Sequence, residues 1–319
     1  MVHQMLLGLQ SSGTEVCVFN TDENRDALDF EGRTYDRGRL GPVWLRWEAL
    51  GPRIEQFRPD LIVCNAGGLS FRPETASALR RSTMLLGIAL SDPDVFAPAT
   101  SRIAPNFHLF ATNADSCVPG YRLLGANAIE LPLATNPAFF CPLPGRPEFD
   151  CEVLVIGHAH WDRIETVRRL SERFNLHIHG PEWDLHGLPG RSPLYGEELL
   201  QALNSARVSV VFPRTLAGHR IAKVAVFDFI AGGALVATER IRPLERYFEY
   251  DREIIGFGDT DELIVKVRYY LDNPEGARAI RAAGHKRVLE NHTWSKVWPR
   301  ILQQLPWNKD FESEGAAIA

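Results

Sequence analysis

The residues best suited to chemistry are basic and stand between two apolar segments of the C-terminal half. The segment that carries them follows a predicted buried strand, 207–212, and leads into a predicted buried helix, 221–231. In open parallel sheets, ligands bind beyond the carboxyl ends of the strands, and basic groups at a helix N-terminus suit a diphosphate. The sequence therefore predicts an anion site here. Its basic side chains are Arg214, His219, Arg220 and Lys223.

An acid, Asp228, lies in the middle of the same predicted helix, with no lysine or arginine three or four residues away. Burying an unpaired carboxylate is costly unless hydrogen bonds satisfy it. One interpretation is that Asp228 meets a distant arginine or reaches solvent at one edge. The other is that it accepts hydrogen bonds from the hydroxyls of a ligand. Behind it, Gly232 and Gly233 predict a helix C-cap before the strand 234–238.

A second candidate loop, 157–161, follows the predicted strand 151–156. Gly157 would let a phosphate approach closely, and the amides of the next helix N-terminus would donate to it. The loop lacks a GxGxxG pattern, so this signal is weak by itself. His158 and His160 could also bind a metal ion, but no third ligand has a recognisable spacing. We therefore predict a site without metal.

The N-terminal half also places polar or flexible residues just after predicted strands, at 61–64 and 84–90. An Asp-x-Asp pair could hold a divalent metal between the phosphates of a sugar nucleotide. Because the pair lies in the opposite half from the basic loops, we interpret its first acid as a cleft residue that acts as a base or orients an acceptor hydroxyl. The alternative is that both acids only cap or turn the loop. The residues after these strands are Gly67, Gly68, Asp92 and Asp94.

Alternating apolar runs and helical patterns predict an α/β protein with two doubly wound parallel sheets. The chain opens with a predicted helix, 1–12, followed by a strand, 15–19, a charged loop, 20–43, and a helix, 44–57. A doubly wound domain normally opens with a strand. Either the start of the sequence is misplaced, which we favour, or the domain has lost that strand.

Four prolines within 136–150 predict a linker between the two domains. The tryptophans beside the predicted sheet edge, Trp161 and Trp183, could stack on a sugar or base, although core packing is the commoner role. The predicted divisions are an N-terminal domain at 1–140, a linker at 141–150, a C-terminal domain at 151–293, and a C-terminal helix and tail at 294–319.

The composition is that of a globular protein large enough for two domains: 319 residues, 45% hydrophobic and 24% charged. The net charge of −5, without a basic tract, argues against nucleic-acid binding. No apolar run is long enough for a membrane span, and the N-terminus lacks the basic region of a signal peptide. Scattered cysteines without a CxxC pattern fit a reducing, cytoplasmic setting. The oligomeric state stays open.

The chain resembles the CgeB-like group of glycosyltransferases, of the group 1 type within the GT-B superfamily. The resemblance covers roughly residues 50–300 and is most specific in the C-terminal third. In that third it rests on Lys223, Phe227, Asp228, Ala231, Gly232, Gly233, Ala234, Leu235, Val236, Phe248, Glu253, Asp261, Glu262, Leu263, Leu271, Gly284, His292 and Thr293. Upstream it rests on Pro59, Asp60, Leu61, Asp92, Pro93, Thr112, Asn113, Leu131, Pro132, Asn136 and Pro137.

This resemblance implies two Rossmann-like domains that face each other across a cleft, and it allows the C-terminal helix to cross back. It implies a nucleoside-diphosphate sugar on the C-terminal domain, a hydroxyl acceptor on the N-terminal domain, and no metal or cofactor. Arg220 and Lys223 would stabilise the leaving diphosphate, and Asp228 would take the place of the family's glutamate near the ribose. We assign donor binding to Gly157, His158, His160, Arg214, His219, Arg220, Lys223 and Asp228, and the acceptor side to Gly67, Gly68, Asp92 and Asp94.

Two departures from the family pattern bear on function. Aspartate at 228 is one methylene shorter than glutamate, and Arg220 stands where related retaining enzymes have a second acid. Neither retention nor inversion can therefore be inferred. The leading hypothesis is a glycosyltransferase, and the alternative is a non-catalytic nucleotide-sugar-binding or assembly protein. A dinucleotide-dependent oxidoreductase is disfavoured because neither half contains GxGxxG.

Overall fold

The computed structural model describes residues 2–21, 23–30, 34–35, 38–39, 41–65 and 69–307. Its internal contacts divide the chain into two compact units. The C-terminal unit consists of His3–Ser12 and Leu133–Val297, and the N-terminal unit consists chiefly of Gly13–Pro132 and the residues from Trp298 onward. The first helix, which the sequence places in the N-terminal domain, thus belongs by its contacts to the C-terminal unit.

The strands and helices follow one another along the described chain. The strands are β1 (Leu28–Phe30), β2 (Thr34–Tyr35), β3 (Gly38–Arg39), β4 (Val43–Leu45), β5 (Leu61–Asn65), β6 (Leu69–Phe71), β7 (Met84–Ala89), β8 (Leu109–Thr112), β9 (Ala128–Glu130), β10 (Cys151–Ile156), β11 (Leu176–His179), β12 (Gly190–Arg191), β13 (Ala206–Val211), β14 (Val236–Glu239) and β15 (Ile255–Phe257). The helices are α1 (Val2–Gln10), α2 (Trp47–Phe57), α3 (Pro73–Leu79), α4 (Ser101–Ile103), α5 (Val118–Leu123), α6 (Ile164–Ser171), α7 (Gly196–Ser205), α8 (Val224–Ala231), α9 (Arg242–Glu245), α10 (Thr260–Asp272), α11 (Pro274–Asn291) and α12 (Trp294–Leu302).

The N-terminal unit contains a parallel sheet in the order β5-β7-β8-β9. Every residue of β7 is buried, which is typical of a parallel strand covered on both faces. A smaller sheet in the order β1-β4-β6 pairs β1 with β4 antiparallel and β4 with β6 parallel. β2 and β3 form a two-stranded antiparallel pair.

The small sheet corrects two predictions from the sequence. The segment 20–43 is not all loop, and the helix predicted from Trp44 begins only at Trp47. The reason is that Val43, Trp44 and Leu45 are all buried and pair with strands on both sides, which keeps them extended. The predicted strand 15–19 is also wrong, because those residues pair with no described strand and most of them are exposed.

The C-terminal unit is built on a six-stranded, wholly parallel sheet in the order β12-β11-β10-β13-β14-β15. One apolar cluster packs α7, α8 and the end of α11 against one face of this sheet, and a second packs α6 and α10 against the other. The doubly wound architecture predicted from the sequence is confirmed. In the part of the chain that the structure describes, no helix is long and apolar enough to cross a membrane.

Candidate functional site

The carboxyl ends of β10, β13 and β14 lie side by side because these strands are parallel neighbours. The loop after β10 contacts the loop after β13, since a Cβ added at Gly218 would lie 3.4 Å from the ring of Trp161. Trp161 itself is 70% exposed. Glu239, the last residue of β14, completes this edge. The two loops predicted to bind a donor are thus brought together in one unit.

Gly157 has the backbone geometry that the loop after β10 requires. Its φ of 127° lies in a region that favours glycine. Its N–H donates to the carbonyl of His179 at 2.9 Å, and its carbonyl accepts from the indole N–H of Trp183 at 2.8 Å. Trp183 is fully buried, so of the two candidate stacking residues only Trp161 is open to a ligand.

The segment between β13 and α8 folds back on itself before the helix starts. Arg214 and Arg220 form an antiparallel bridge, and the N–H of Ile221 donates to the carbonyl of Pro213 at 3.0 Å. The backbone of Lys223 is extended, with φ −103° and ψ 135°, so α8 begins at Val224 rather than at Ile221 as predicted. Lys223 therefore occupies the N-cap position, one residue before the helix. The predicted C-cap at Gly232 is confirmed.

Arg214 is held by carboxylates of the protein. Its Nε and Nη2 donate to the two carboxylate oxygens of Glu239 at 3.1 and 2.9 Å, and its Nε lies 3.5 Å from Asp162 Oδ2. Arg220 also reaches Glu239, at 3.7 Å from Nε to Oε2, while 59% of its side chain stays exposed. The charge of Arg214 is thus largely compensated within the protein, and Arg220 is the more accessible of the two cations.

At the end of the loop after β10, the side chains of Asp162 and Arg163 are both buried. The Arg163 guanidinium stacks over the ring of Phe212, 5.0 Å from its centroid. Burial lowers the pKa of Arg163, and the adjacent Asp162 carboxylate opposes that shift. Burial also lowers the pKa of His160, and the nearby positive charges of Arg163 and Lys223 lower it further. Lys223, just before α8, is thus close enough to the loop after β10 to influence the charge of His160.

The edge as a whole carries more positive than negative charge. Four cationic side chains stand against two carboxylates, with the histidines taken as neutral. A surplus of about two positive charges suits a diphosphate, because charge-assisted hydrogen bonds from Arg and Lys are the strong ones for phosphate oxygens. Asp162, Arg163 and Glu239 were not identified from the sequence, because nothing in their local pattern reveals their partners. The six residues are Arg163, Arg214, Arg220, Lys223, Asp162 and Glu239.

The remaining predicted donor residues are three histidines, of which His160 is half-buried. His158 and His219 are exposed, and the His158 ring lies 6.0 Å from that of His160. Among the described residues, no three His, Cys, Asp or Glu side chains are grouped as a metal site would require.

Asp228 has partners that neither sequence interpretation named. Its carboxylate accepts a hydrogen bond from Thr135 Oγ1 at 2.6 Å and another from the side-chain amide of Gln4. Gln4 in turn accepts from the N–H of Asn136 at 3.1 Å. Burial raises the pKa of Asp228 to about 6, and the two hydrogen bonds oppose that shift. Asp228 therefore joins α8 to α1 inside the C-terminal unit, and its contact with a ribose stays a prediction.

In the N-terminal unit, Asp92 is fully enclosed rather than lining an open cleft as expected. Thr100 donates to its Oδ1 at 2.9 Å, and Thr112 and Tyr121 donate to its Oδ2 at 2.6 and 2.5 Å. Burial raises the pKa of Asp92, and the three hydroxyls oppose that shift. Its role as a base stays a prediction. Asp94 is half-buried nearby, and Gly67 and Gly68 lie outside the described residues.

Comparison with known proteins agrees with this architecture. Residues 161–303, which include all six charged residues at the sheet edge, match a protein family described as glycosyl transferase-like. No curated protein sequence matches the chain.

Several solved structures share the fold. Sucrose-phosphate synthase from Thermosynechococcus elongatus is 15% identical, with a TM-score of 0.57 over 80% of this chain and 75% of its own. Anabaena HepE in complex with UDP-glucose is 12% identical, with a TM-score of 0.57 over 80% of this chain and 81% of its own. The pneumococcal O-GlcNAc transferase GtfA in complex with UDP and GlcNAc is 11% identical, with a TM-score of 0.51 over 83% of this chain and 61% of its own. The chain has the GT-B fold, with two Rossmann-like units.

Proposed function

We propose that this protein is a glycosyltransferase that moves a sugar from a nucleoside-diphosphate sugar to a hydroxyl acceptor. The observation that carries the proposal is the surplus of positive charge at the carboxyl edge of the six-stranded sheet. The edge lies within the segment that matches the glycosyl transferase-like family. Fold neighbours bound to UDP-glucose, or to UDP and GlcNAc, support a nucleotide-sugar donor.

The chemistry that follows is charge stabilisation. When the bond from the anomeric carbon to the diphosphate breaks, its electron pair stays on the leaving oxygen and negative charge develops there. Arg220 and Lys223, at the start of α8, would stabilise that charge. Electrostatic stabilisation of this kind is the largest single contribution to catalysis in many enzymes. The acceptor hydroxyl would attack the anomeric carbon, and its proton would pass to the departing diphosphate or to water. Since the side chains supply the positive charge, we propose that the reaction needs no metal ion.

Arg214 would act differently from the other two cations. Because Glu239 binds it through both carboxylate oxygens, it is fixed in place and less able to neutralise a ligand. We propose that it shapes the turn 213–221 and so positions Arg220. The positions shared with the CgeB-like group, Lys223 and Phe227 among them, lead us to propose that donor binding follows that type.

A second candidate function is a non-catalytic protein that binds a nucleotide sugar. The observation in its favour is that both predicted acids are engaged within the protein, Asp92 by three hydroxyls and Asp228 by Thr135 and Gln4. Turnover separates the two candidates. Donor hydrolysis or transfer that is lost in Lys223→Ala and persists in excess EDTA supports the metal-independent enzyme, whereas binding without turnover supports the binding protein.

The test of the donor site is a thermal-shift screen against UDP, GDP, dTDP, CDP, ADP and NAD. A ligand at about 100 times its dissociation constant stabilises the fold by about 2.7 kcal/mol, which raises the melting temperature by several degrees. We expect one diphosphate to stabilise the protein, and Arg220→Ala and Lys223→Ala each to weaken its binding about 10-fold or more.

Matched controls exist on the same unit. Arg252 and Lys286 have side chains 74% exposed and pair with nearby surface glutamates, Glu249 and Glu290. Arg252→Ala and Lys286→Ala make the same changes in charge away from the sheet edge, so ligand binding should be unaffected. Equal weakening by the controls, or no response of the folded protein to any diphosphate, would refute the proposed site.

A further inference from the structure

One acid at this sheet edge has unused hydrogen-bonding capacity. The side chain of Asp162 is only 3% exposed, yet no donor of the described residues meets either of its oxygens with normal hydrogen-bond geometry. Its neighbours are guanidinium groups at ion-pair distance, Arg214 Nε at 3.5 Å and Arg163 Nε at 3.7 Å. Glu239, in the same cluster, is bound at both oxygens. Asp162 thus differs from the other acid of the site in lacking donors.

A buried carboxylate without donors is costly, because buried polar groups in folded proteins are nearly always hydrogen-bonded. A ligand that supplied uncharged donors would remove that cost. The diphosphate cannot do so, since its oxygens are acceptors and carry the same sign of charge. The hydroxyl groups of a sugar can, because each is a donor without negative charge.

We propose that Asp162 accepts a hydrogen bond from a hydroxyl of the sugar that is transferred, which rests on the proposed function of the site. The adjacent cations would hold the diphosphate, and Asp162 would orient the sugar joined to it. No proton moves in this interaction. Asp162 would therefore contribute to the choice of sugar rather than to nucleotide affinity, and donors that lack the contacted hydroxyl would bind poorly.

The test compares a nucleoside diphosphate with its sugar conjugate by isothermal titration calorimetry. The first pair is UDP and UDP-glucose, or the corresponding pair for whichever diphosphate stabilises the wild type. In Asp162→Asn we expect the affinity for the sugar conjugate to fall about 10-fold or more. The affinity for the diphosphate alone should stay the same or rise, because the site gains positive charge. If both affinities change by the same factor, or neither changes, Asp162 does not contact the sugar.

Two further measurements keep the test decisive. Glu165→Gln removes the same charge from the nearby α6, where Glu165 is 73% exposed, so it should leave the ratio of the two affinities unchanged. The wild type titrated with deoxy-sugar conjugates should lose about 10-fold in affinity at one hydroxyl, and this result does not depend on how a variant folds. Equal binding of all the deoxy-sugar conjugates would overturn the inference. A wild type that binds no diphosphate would instead refute the proposed function.

Discussion

Two aspartates follow parallel strands of different sheets and have opposite surroundings. Asp92, after β7, is fully buried, and its oxygens accept from the hydroxyls of Thr100, Thr112 and Tyr121. Asp162, in the loop after β10, is almost as buried, yet no described residue donates a hydrogen bond to it. Both stand where α/β proteins bind ligands, so position alone does not distinguish them.

The difference shows how to separate a structural acid from a binding acid. A carboxylate whose oxygens all accept hydrogen bonds from the protein stabilises one arrangement of its neighbours. It has little remaining capacity to accept hydrogen bonds from a ligand. A buried carboxylate with unsatisfied acceptors keeps that capacity, and in a native structure it calls for an explanation. The comparison supports a stabilising role for Asp92, whose role as a base stays a prediction, and it supports the proposal that Asp162 contacts a ligand.

The largest expected effect is on the stability of the N-terminal unit. Asp92→Ala leaves three buried hydroxyls without their acceptor, and we expect it to lower the free energy of unfolding by about 3–5 kcal/mol. Urea unfolding measures this loss. Asp94→Ala, two residues away and half-buried, should cost less than about 1 kcal/mol. An Asp92→Ala protein as stable as the wild type would mean that the hydroxyl network does not stabilise the unit.

Much of the fold follows from local pattern. Largely apolar runs predict β7, β10 and β13, because strands buried on both faces need no polar alternation. The basic loop after β13 is identifiable for a similar reason, since its arginines and lysine are neighbours in the sequence. The small sheet is not predictable in this way, because β4 pairs with strands on either side of it in sequence, β1 and β6.

The side-chain pairs around Arg214 and Asp228 are not predictable either, because their members lie far apart in the sequence. Arg214 and Glu239 are separated by 25 residues, and Thr135 and Asp228 by 93. Periodicity reports which face of an element is buried, but it does not report which remote side chain will meet it. The sequence therefore predicts that Asp228 is buried and needs a partner, while the identity of the partner requires the fold.

Asp228 accepts two hydrogen bonds from the protein, fewer than Asp92 and more than Asp162. The pH dependence of stability tests how strongly its burial perturbs it. Its pKa is raised to about 6 from 3.8, mainly by burial. The stability associated with this raised pKa is fully present below about pH 4 and is lost as the pH rises through about 6. Between pH 4 and 7 we expect the wild type to lose about 2 kcal/mol of unfolding free energy relative to Asp228→Asn.

Unfolding of the wild type and Asp228→Asn across this range measures the difference between them. Asp272→Asn removes an exposed acid at the end of α10 in the same unit, so its difference from the wild type should not vary with pH in this way. A difference between Asp228→Asn and the wild type that stays constant from pH 4 to 7 would show that burial does not perturb Asp228.

The smallest expected effect completes the comparison with Asp92. Asp162→Ala removes an attraction to the buried Arg163 but also the cost of burying a carboxylate that accepts no hydrogen bond. Because these two effects oppose each other, we expect the free energy of unfolding to fall by about 1 kcal/mol or less in the absence of ligand. What is lost is the attraction of Arg163 and Arg214 at 3.7 and 3.5 Å, and Arg214 keeps both bonds to Glu239. Urea unfolding of the unliganded protein beside Asp92→Ala provides the measurement. A loss as large as that of Asp92→Ala would make Asp162 a structural acid, and its unsatisfied oxygens would then no longer point to a ligand.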